Sequence, residues 1–373
     1  MTTFVFILIL SFLVIIHELG HFFLAKKNNV KVHEFGFGYP PKFLRLFTWK
    51  KTDFTLNLIP FGGFVRLEGE EYDENASEKE KKNQTAFYNK SAKARLAIAA
   101  AGPLVNIIYA LFIFSIVFSV MGVPTDLQNR PRIGEISPES PAAVAELKPD
   151  YEIVGFRLYD EEIKINKIEE VINFIKLNQG QTVEVSLVGP CQQLTCAEKI
   201  ITKEIYLRTE AEIPAGQGSM GVAFSDFYFA KGPWYLRPFQ GMIYGFQEAY
   251  QMVVMILMSL WILISDIIAG NGVPDGIAGP IGIVDQASNA GLFEQGWLTI
   301  LGFSGMLSLN LGIMNLLPIP ALDGGRIFFI FLEKFLGKEK VRRFEGTAHL
   351  TGFIILLGLI ILISIRDVFR IFQ

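Results

Sequence analysis

The sequence has few cysteines and no excess of positive charge. Only two of its 373 residues are cysteine, Cys191 and Cys196, and their spacing is not that of a zinc-ligand pair. They lie close together in a polar stretch, where a disulfide would form if that stretch faces an oxidising compartment. The formal net charge of −3 gives no support for a nucleic-acid partner. The sequence therefore argues against cysteine-bound zinc and against a nucleic-acid-binding function.

The first apolar run lacks the marks of a cleaved signal peptide. No basic residue precedes it, no small-x-small cleavage site follows it, and Lys26 and Lys27 come directly after it. The chain is 51% hydrophobic with a mean hydropathy of +0.36, which is more apolar than is usual for a soluble protein. The run from Phe4 to Lys26 is long enough to cross the roughly 30 Å hydrocarbon core of a bilayer. We therefore expect a retained membrane helix.

This first helix carries His17, Glu18 and His21 in the pattern His-Glu-x-x-His. Ionisable groups inside an apolar span are costly and for that reason indicate function. Residues four apart share one helix face, so both histidines can bind one metal ion, and Glu18 can accept a proton from water there. A lone membrane histidine more often bonds a neighbouring helix. Three ionisable groups at ligand spacing favour a metal site instead.

Asp323 is the predicted third metal ligand, because catalytic zinc usually takes three protein ligands. Pro318 and Pro320 break the apolar helix just before it, and the two glycines after it let the backbone bend. The alternative is that Asp323 caps the helix that follows. His33 and His349 lie outside the apolar spans or at an edge, and we predict that neither is a ligand.

Three further segments are predicted to span the membrane, namely 91–122, 298–320 and 349–365. The basic residues of 26–95 and of 338–343 place both segments in the cytosol by the positive-inside rule, so an even number of crossings separates them. The ambiguous segment 240–268 is therefore predicted to lie on the outer membrane surface as an amphipathic helix.

Small and polar residues interrupt two of these spans. Gly102, Pro103 and Asn106 break the second span, either as a packing kink or because Asn106 faces the metal site. The residues favour neither interpretation over the other. In the third span Ser304, Ser308 and Gly312 recur every four residues, which allows close helix approach.

Two segments between the spans have the patterns of β-structure. Residues 32–67 are predicted to form membrane-associated β-hairpins, with strands at Val32–Phe37, Lys42–Trp49, Asp53–Leu58 and Gly63–Leu67. The charged run that follows, up to Lys82, is predicted to be a solvated loop. The polar stretch from 123 has the length of one small globular domain and the order strand, helix, strand, helix, strand.

Three separated motifs make the chain resemble a known family. These motifs are HELGH in the first helix, GPLVN in the second span and NLLPIPALDGG at the end of the third. Together they resemble the site-2 proteases, which are intramembrane zinc metalloproteases, and most closely the bacterial branch typified by the sigma-E regulator protease. The resemblance implies that His17, His21 and Asp323 bind Zn²⁺ and that Glu18 is the catalytic acid and base.

The resemblance also implies further roles and an architecture. Asn106 and Asn315 would position the substrate chain or the reacting carbonyl. The chain would be a polytopic α-helical membrane protein with four spans, membrane-associated β-hairpins and one inserted PDZ-like α+β domain. Its parts would be an N-terminal membrane core (1–122), the PDZ-like domain (123–215), a membrane-adjacent region (216–297) and a C-terminal membrane core (298–373).

Location and substrates follow from the same resemblance. The protein would lie in a bacterial inner membrane as a monomer, with its active site toward the cytosol and the PDZ-like domain outside. Its substrates would be single-pass membrane proteins, such as an anti-sigma factor or remnant signal peptides. The PDZ-like domain departs from the family at Ala145–Tyr151, where two expected glycines are absent, which favours gating over peptide capture.

Two other classes of function compete with proteolysis. A non-catalytic membrane scaffold or chaperone could keep zinc for structure, but the intact Glu18 gives it no support. A metal-ion transporter would show internal repeats and repeated polar helices, and the sequence has neither. Cleavage that is lost in Glu18→Gln while zinc stays bound would separate the protease from both.

Overall fold

The fold is taken from a computed structural model, which describes residues 2–70, 83–126, 131–159, 161–189, 200–214, 217–225, 227–270 and 278–371. Cys191 and Cys196 lie outside these residues, as does the charged run of 71–82. The chain divides into two compact units. One contains Met1–Val117 and Met242–Gln373, and the other contains Phe118–Gly241.

Long helices and groups of β-strands follow one another along the described chain. In chain order they are α1 (Thr2–Lys27), β1 (Val32–Trp49), β2 (Thr52–Leu67), α2 (Ala92–Met121), β3 (Val123–Asp126), β4 (Arg132–Ile136), α3 (Pro141–Val144), β5 (Glu152–Leu158), β6 (Glu161–Lys164), α4 (Ile168–Leu177), β7 (Thr182–Val188), β8 (Ile200–Tyr206), β9 (Val222–Ser225), β10 (Phe227–Ala230), α5 (Arg237–Ala269), α6 (Pro280–Asn289), α7 (Trp297–Leu316), α8 (Asp323–Leu336) and α9 (Lys338–Ile371).

Five helices of the described chain are long and apolar enough to cross a membrane, namely α1, α2, α5, α7 and α9. Four of them overlap the predicted spans, although α7 ends at Leu316, before the predicted limit of 320. The fifth, α5, is the segment predicted to lie on the outer surface, and by length and composition alone it qualifies as a span as well. This set of helices fits a polytopic membrane protein.

Side-chain contacts give the relative directions of the central helices. Phe12 in the middle of α1 meets Tyr109 of α2, with ring centroids 5.6 Å apart, while His21, later in α1, bonds to Ile98, earlier in α2. The two helices therefore run antiparallel. Phe6 of α1 packs on Phe303 of α7, with centroids 6.3 Å apart. Because the later part of α1 meets the segment just after α7, α1 and α7 run parallel.

Small residues let these helices approach closely. A Cβ on Gly20 of α1 would lie 2.6 Å from the carbonyl oxygen of Ala101 in α2. On α7, the Ser308 hydroxyl donates to the carbonyl oxygen of Asn106 at 2.9 Å, and a Cβ on Gly312 would be 2.9 Å from the carbonyl oxygen of Pro103. The small residues of the third span therefore pack α7 against α2, as their spacing predicts.

The strands β1 and β2 fold into one sheet of four segments. Residues 34–37 of β1 pair on one side with 53–56 and on the other with 63–66, while 42–49 pairs with 52–57. These four segments are the predicted strands, joined into two long strands rather than separated. Phe22 of α1 packs edge-on against Phe35 and Phe54 of the sheet, with centroids 5.7 and 5.6 Å apart. The sheet is thereby fixed to the helix that carries the histidine motif.

The second unit is an α+β domain with one large sheet, and β3 pairs with β10 in a separate two-stranded sheet. The strand order is β8-β7-β5-β4-β9, and β6 adds to β5. The helix α4 covers the sheet, where Phe174 stacks on Phe156 with ring centroids 4.4 Å apart. Because β9 pairs with β4, the sheet continues to Ser225, beyond residue 215.

Candidate active site

The structure brings His17 and His21 of α1 together with Asp323 at the start of α8. Asp323 Oδ2 lies 3.0 Å from His17 Nε2 and 3.3 Å from His21 Nε2, and the two Nε2 atoms are 3.2 Å apart. His17 is buried, and the side chains of His21 and Asp323 are 12% and 16% exposed. Among the described residues this is the only group of three such side chains that could hold a metal ion.

Hydrogen bonds behind the imidazoles direct both Nε2 atoms toward the same point. His21 Nδ1–H donates to the carbonyl oxygen of Ile98 at 2.8 Å, which leaves the lone pair of Nε2 for a ligand bond. His17 Nδ1 lies 3.3 Å from the side-chain amide nitrogen of Asn106. Asn106 is fully buried, and its Oδ1 has no hydrogen-bond partner.

The amide orientation of Asn106 decides how that contact works. Oxygen and nitrogen of an amide are assigned from the hydrogen-bond network. If the amide is turned over, Oδ1 accepts from His17 Nδ1–H, and both the buried oxygen and the ring nitrogen are satisfied. His17 then presents an unprotonated Nε2, as a metal ligand must.

Gly102 of α2 makes room for the two imidazoles. A Cβ at this position would overlap Nε2 of both histidines, at 2.7 Å in the case of His17. The next residue, Pro103, lies inside the helix. Gly102 therefore permits close packing, and Asn106 faces the histidines. Each of the two interpretations left open by the sequence describes one of these contacts.

The backbone before α8 carries the Asp323 carboxylate to the histidines. Asp323 is the first residue of α8, and its carboxylate meets the two imidazoles; Leu322 occupies the N-cap position. Ala321 adopts a left-handed conformation with φ of 82°. Its N–H donates to His349 Nδ1 at 2.8 Å, so His349 of α9 supports this turn and stands apart from the three-ligand group. His33 is likewise elsewhere, 3.9 Å from Glu68.

Glu18 sits between the ligands and the β-sheet. A Cβ on Gly63 of β2 would be 3.8 Å from Glu18 Cγ, and Tyr39 of β1 packs beside Gly62. Burial, with the charge of Glu18 as a smaller cause, raises the pKa of the Tyr39 hydroxyl above its ordinary value, so this group stays protonated. Arg326 of α8 forms an ion pair with Glu70, and both charges interact electrostatically with the Glu18 carboxylate.

The residues fit a zinc ion by the chemistry of their donors. Two imidazole nitrogens and one carboxylate oxygen converge, which is the donor number and type of a catalytic zinc site. Each imidazole also has a partner on its far nitrogen, as ligating histidines usually do. Both features are present in the arrangement of these side chains.

Sequence reasoning did not find several residues around this site. Tyr39, Arg326, Glu70 and His349 all contact or support it, and none of them belongs to a motif that marks such a role. Asn315 is half-buried and makes no side-chain hydrogen bond within the described residues. The structure therefore places Asn106 against a ligand and leaves Asn315 free for other contacts.

Comparison with known proteins agrees with this geometry. The family model for peptidase family M50 matches residues 5–359. The chain belongs to peptidase family M50. M50 relatives include the zinc metalloprotease RasP of Oceanobacillus iheyensis, which is 30% identical over an alignment that covers 100% of both chains. A Clostridium acetobutylicum protein whose name includes the words zinc metalloprotease is 32% identical over 97% of this chain and 96% of its own length.

A third M50 relative is the regulator of sigma-W protease RasP of Bacillus subtilis. It is 26% identical, and the alignment covers 100% of this chain and 99% of the relative. Membership in M50 makes the chain a zinc metalloendopeptidase with Zn²⁺ as its expected cofactor. Its membrane helices and bacterial relatives indicate a bacterial integral membrane protein.

Proposed function

We propose that this chain hydrolyses peptide bonds within or near the transmembrane segments of single-pass membrane proteins. The supporting observation is the position of the ligand group, since His17, Glu18 and His21 lie on a 26-residue apolar helix. A site at that depth serves a substrate that is itself in the membrane.

Each site residue has a proposed role. His17, His21 and Asp323 would hold the zinc ion. When bound there, zinc polarises a carbonyl group and makes water acidic enough to lose a proton near neutral pH. Glu18 accepts that proton on a carboxylate oxygen and passes it to the nitrogen of the leaving amine, acting first as base and then as acid.

The substrate must be extended where it is cut. A peptide carbonyl inside a helix is already hydrogen bonded, so a membrane helix has to unwind before Glu18 can act on it. Gly63 leaves the backbone of β2 close to Glu18 without a side chain between them. We propose that the extended substrate backbone lies beside Glu18, and that Asn315, whose side chain has no hydrogen-bond partner among the described residues, helps to position it.

The class of substrate is suggested by the name of a relative. The Bacillus subtilis protein is called a regulator of sigma-W protease. An anti-sigma factor with one membrane span is therefore a candidate substrate here, and remnant signal peptides are another. Under this proposal the active site opens to the cytosol, and the domain of β3–β10 lies outside as a PDZ-like gate.

Helix directions support four crossings rather than five. Since α2 is antiparallel to α1 and α7 is parallel to it, α2 ends and α7 begins on the same side of any membrane that α1 crosses. An even number of crossings must lie between them. The ten-residue α6 spans about 15 Å, too short for the bilayer core, so we propose that α5 does not cross.

Cleavage of a tagged single-pass membrane peptide by the purified protein tests the proposed function. We expect a product band that disappears with o-phenanthroline. In Glu18→Gln the rate should fall by about 10²–10⁴-fold, while zinc per chain, measured by metal analysis, stays the same. Cleavage that survives Glu18→Gln would refute the assignment of the base. Bound zinc without any cleavage of such peptides would favour the non-catalytic scaffold.

A further inference from the structure

Four lysines lie at the end of α1 and in the β1–β2 turn that is bound to it. Lys26 and Lys27 are the last residues of α1, and Lys50 and Lys51 form the turn. The Lys26 ammonium donates to the carbonyl oxygen of Lys50 at 2.9 Å, which holds the turn at the end of the helix. We call these four residues the lysine patch.

The charges of the lysine patch are not neutralised by the protein. Within the described residues, none of the four ammonium groups has an acidic side chain within ion-pair distance. By contrast Lys31, Lys42, Arg45 and Arg66 nearby each have such a partner. Like charges repel one another, so a bound anion would stabilise a group of lysines without acidic partners.

The turn itself gives no reason for lysine. Lys50 and Lys51 have φ of 46° and 63°, and this left-handed backbone is adopted most easily by glycine and asparagine. Lysine at both positions is therefore unfavourable for the local conformation. Its presence is consistent with a use for the two ammonium groups.

Exposed aromatic side chains precede the lysines of the patch by a few residues on α1 and β1. Phe23, Phe47 and Trp49 are 55%, 53% and 42% exposed. The Lys50 ammonium lies 4.7 Å from the centre of the Trp49 ring. Aromatic rings with lysines beside them are typical of the level where lipid headgroups meet the hydrocarbon core.

We propose that the lysine patch binds the phosphate headgroups of anionic phospholipids. The end of an apolar helix places the four ammonium groups at headgroup depth, and the aromatic rings beside them suit acyl chains, which a soluble anion lacks. Basic clusters directly beside a membrane helix attract anionic lipid in this way. The lipid would hold the β1–β2 turn in place. The same sheet contains Gly63, which lies beside Glu18. This inference rests on the proposed membrane placement of α1.

Tryptophan quenching by brominated lipid tests the proposal without using proteolysis. The chain has four tryptophans, Trp49, Trp234, Trp261 and Trp297. Full-length protein that keeps only Trp49, with phenylalanine at the other three, would be reconstituted with increasing fractions of brominated phosphatidylglycerol or brominated phosphatidylcholine. We expect phosphatidylglycerol to associate about fivefold more tightly or better at Trp49, and added salt to weaken this preference.

Two kinds of control make the result specific. A chain that keeps only Trp261, which is 72% exposed on α5, should show no such preference. Replacing all four patch lysines by glutamine should abolish the preference at Trp49, whereas arginine should retain it. Replacing Lys148, Lys164, Lys167 and Lys176, which are exposed in the second unit, by glutamine should leave it unchanged.

The outcomes separate this inference from the protease proposal. Equal quenching by the two lipids at Trp49, an equal preference at Trp261, or a preference that survives the glutamine variant would each overturn it. Zinc content of every variant shows whether the chain is folded. The protease proposal is judged by cleavage alone, so either can fail while the other stands.

Discussion

A single glycine sets the distance between α2 and the metal ligands. Gly102 faces both imidazoles so closely that any side chain would collide with them. We expect Gly102→Ala to lose most of its bound zinc, measured as metal per chain. The matched control is Gly358→Ala on α9, where a Cβ meets nothing within 4 Å and alanine favours the helix. Full zinc occupancy in Gly102→Ala would mean that α2 lies farther from the site.

Asn106 differs from Asn315 in what it touches, and the two amides should differ in effect. Asn106→Ala removes the partner of His17 Nδ1, so we expect about 10- to 100-fold weaker zinc binding in competition with a chelator. Asn106→Asp, which can still accept from Nδ1–H, should recover much of the affinity. Asn315→Ala should leave zinc affinity unchanged and raise KM. The same zinc affinity in Asn106→Ala and wild type would exclude the positioning role.

At this scale the sequence predicts ligands better than it predicts their support. His17 and His21 are readable because helix spacing places them on one face, and Asp323 because prolines and glycines surround it. Their support comes from backbone carbonyls such as that of Ile98, or from side chains brought in by packing such as His349, which accepts from the N–H of Ala321 before Asp323. No local pattern encodes such contacts, because they depend on how the helices cross.

Among the elements, the start of α6 is bound by one buried carboxylate, in addition to the apolar packing of Ile283 and Ala287 on the bundle. Asp367 of α9 accepts from the N–H groups of Gly279 and Gly282 at 2.9 and 2.8 Å, at the start of α6. A negative charge stabilises a helix N-terminus. We expect Asp367→Asn to reduce stability by about 1–2 kcal/mol and lower the melting temperature in detergent. Asp285→Asn, within α6, should change it little, and equal effects would contradict the anchor.

Elements were predictable from sequence where their pattern is local. The four strand segments of residues 32–67 follow from alternation and glycine punctuation, and long apolar runs give the spans. The pairing of 34–37 with two partners is a non-local result and had no sequence signal. Whether α5 crosses the membrane was equally hidden, because a helix that lies on a membrane and one that spans it can share the same composition.

For the whole molecule, the decisive quantity is the number of membrane crossings, and labelling of single cysteines measures it. Starting from a chain with Cys191→Ser and Cys196→Ser, Val144→Cys reports the exposed surface of the second unit, and Lys340→Cys reports the start of α9. Ala269→Cys marks the end of α5.

Because α2 ends and α7 begins on one side of the membrane, we expect Ala269→Cys and Val144→Cys to react with an impermeant maleimide from that side. Lys340→Cys should react only from the other side. If Ala269→Cys reacts together with Lys340→Cys, α5 crosses, and the chain must then return through the bilayer before α7 by a path that α6 is too short to provide.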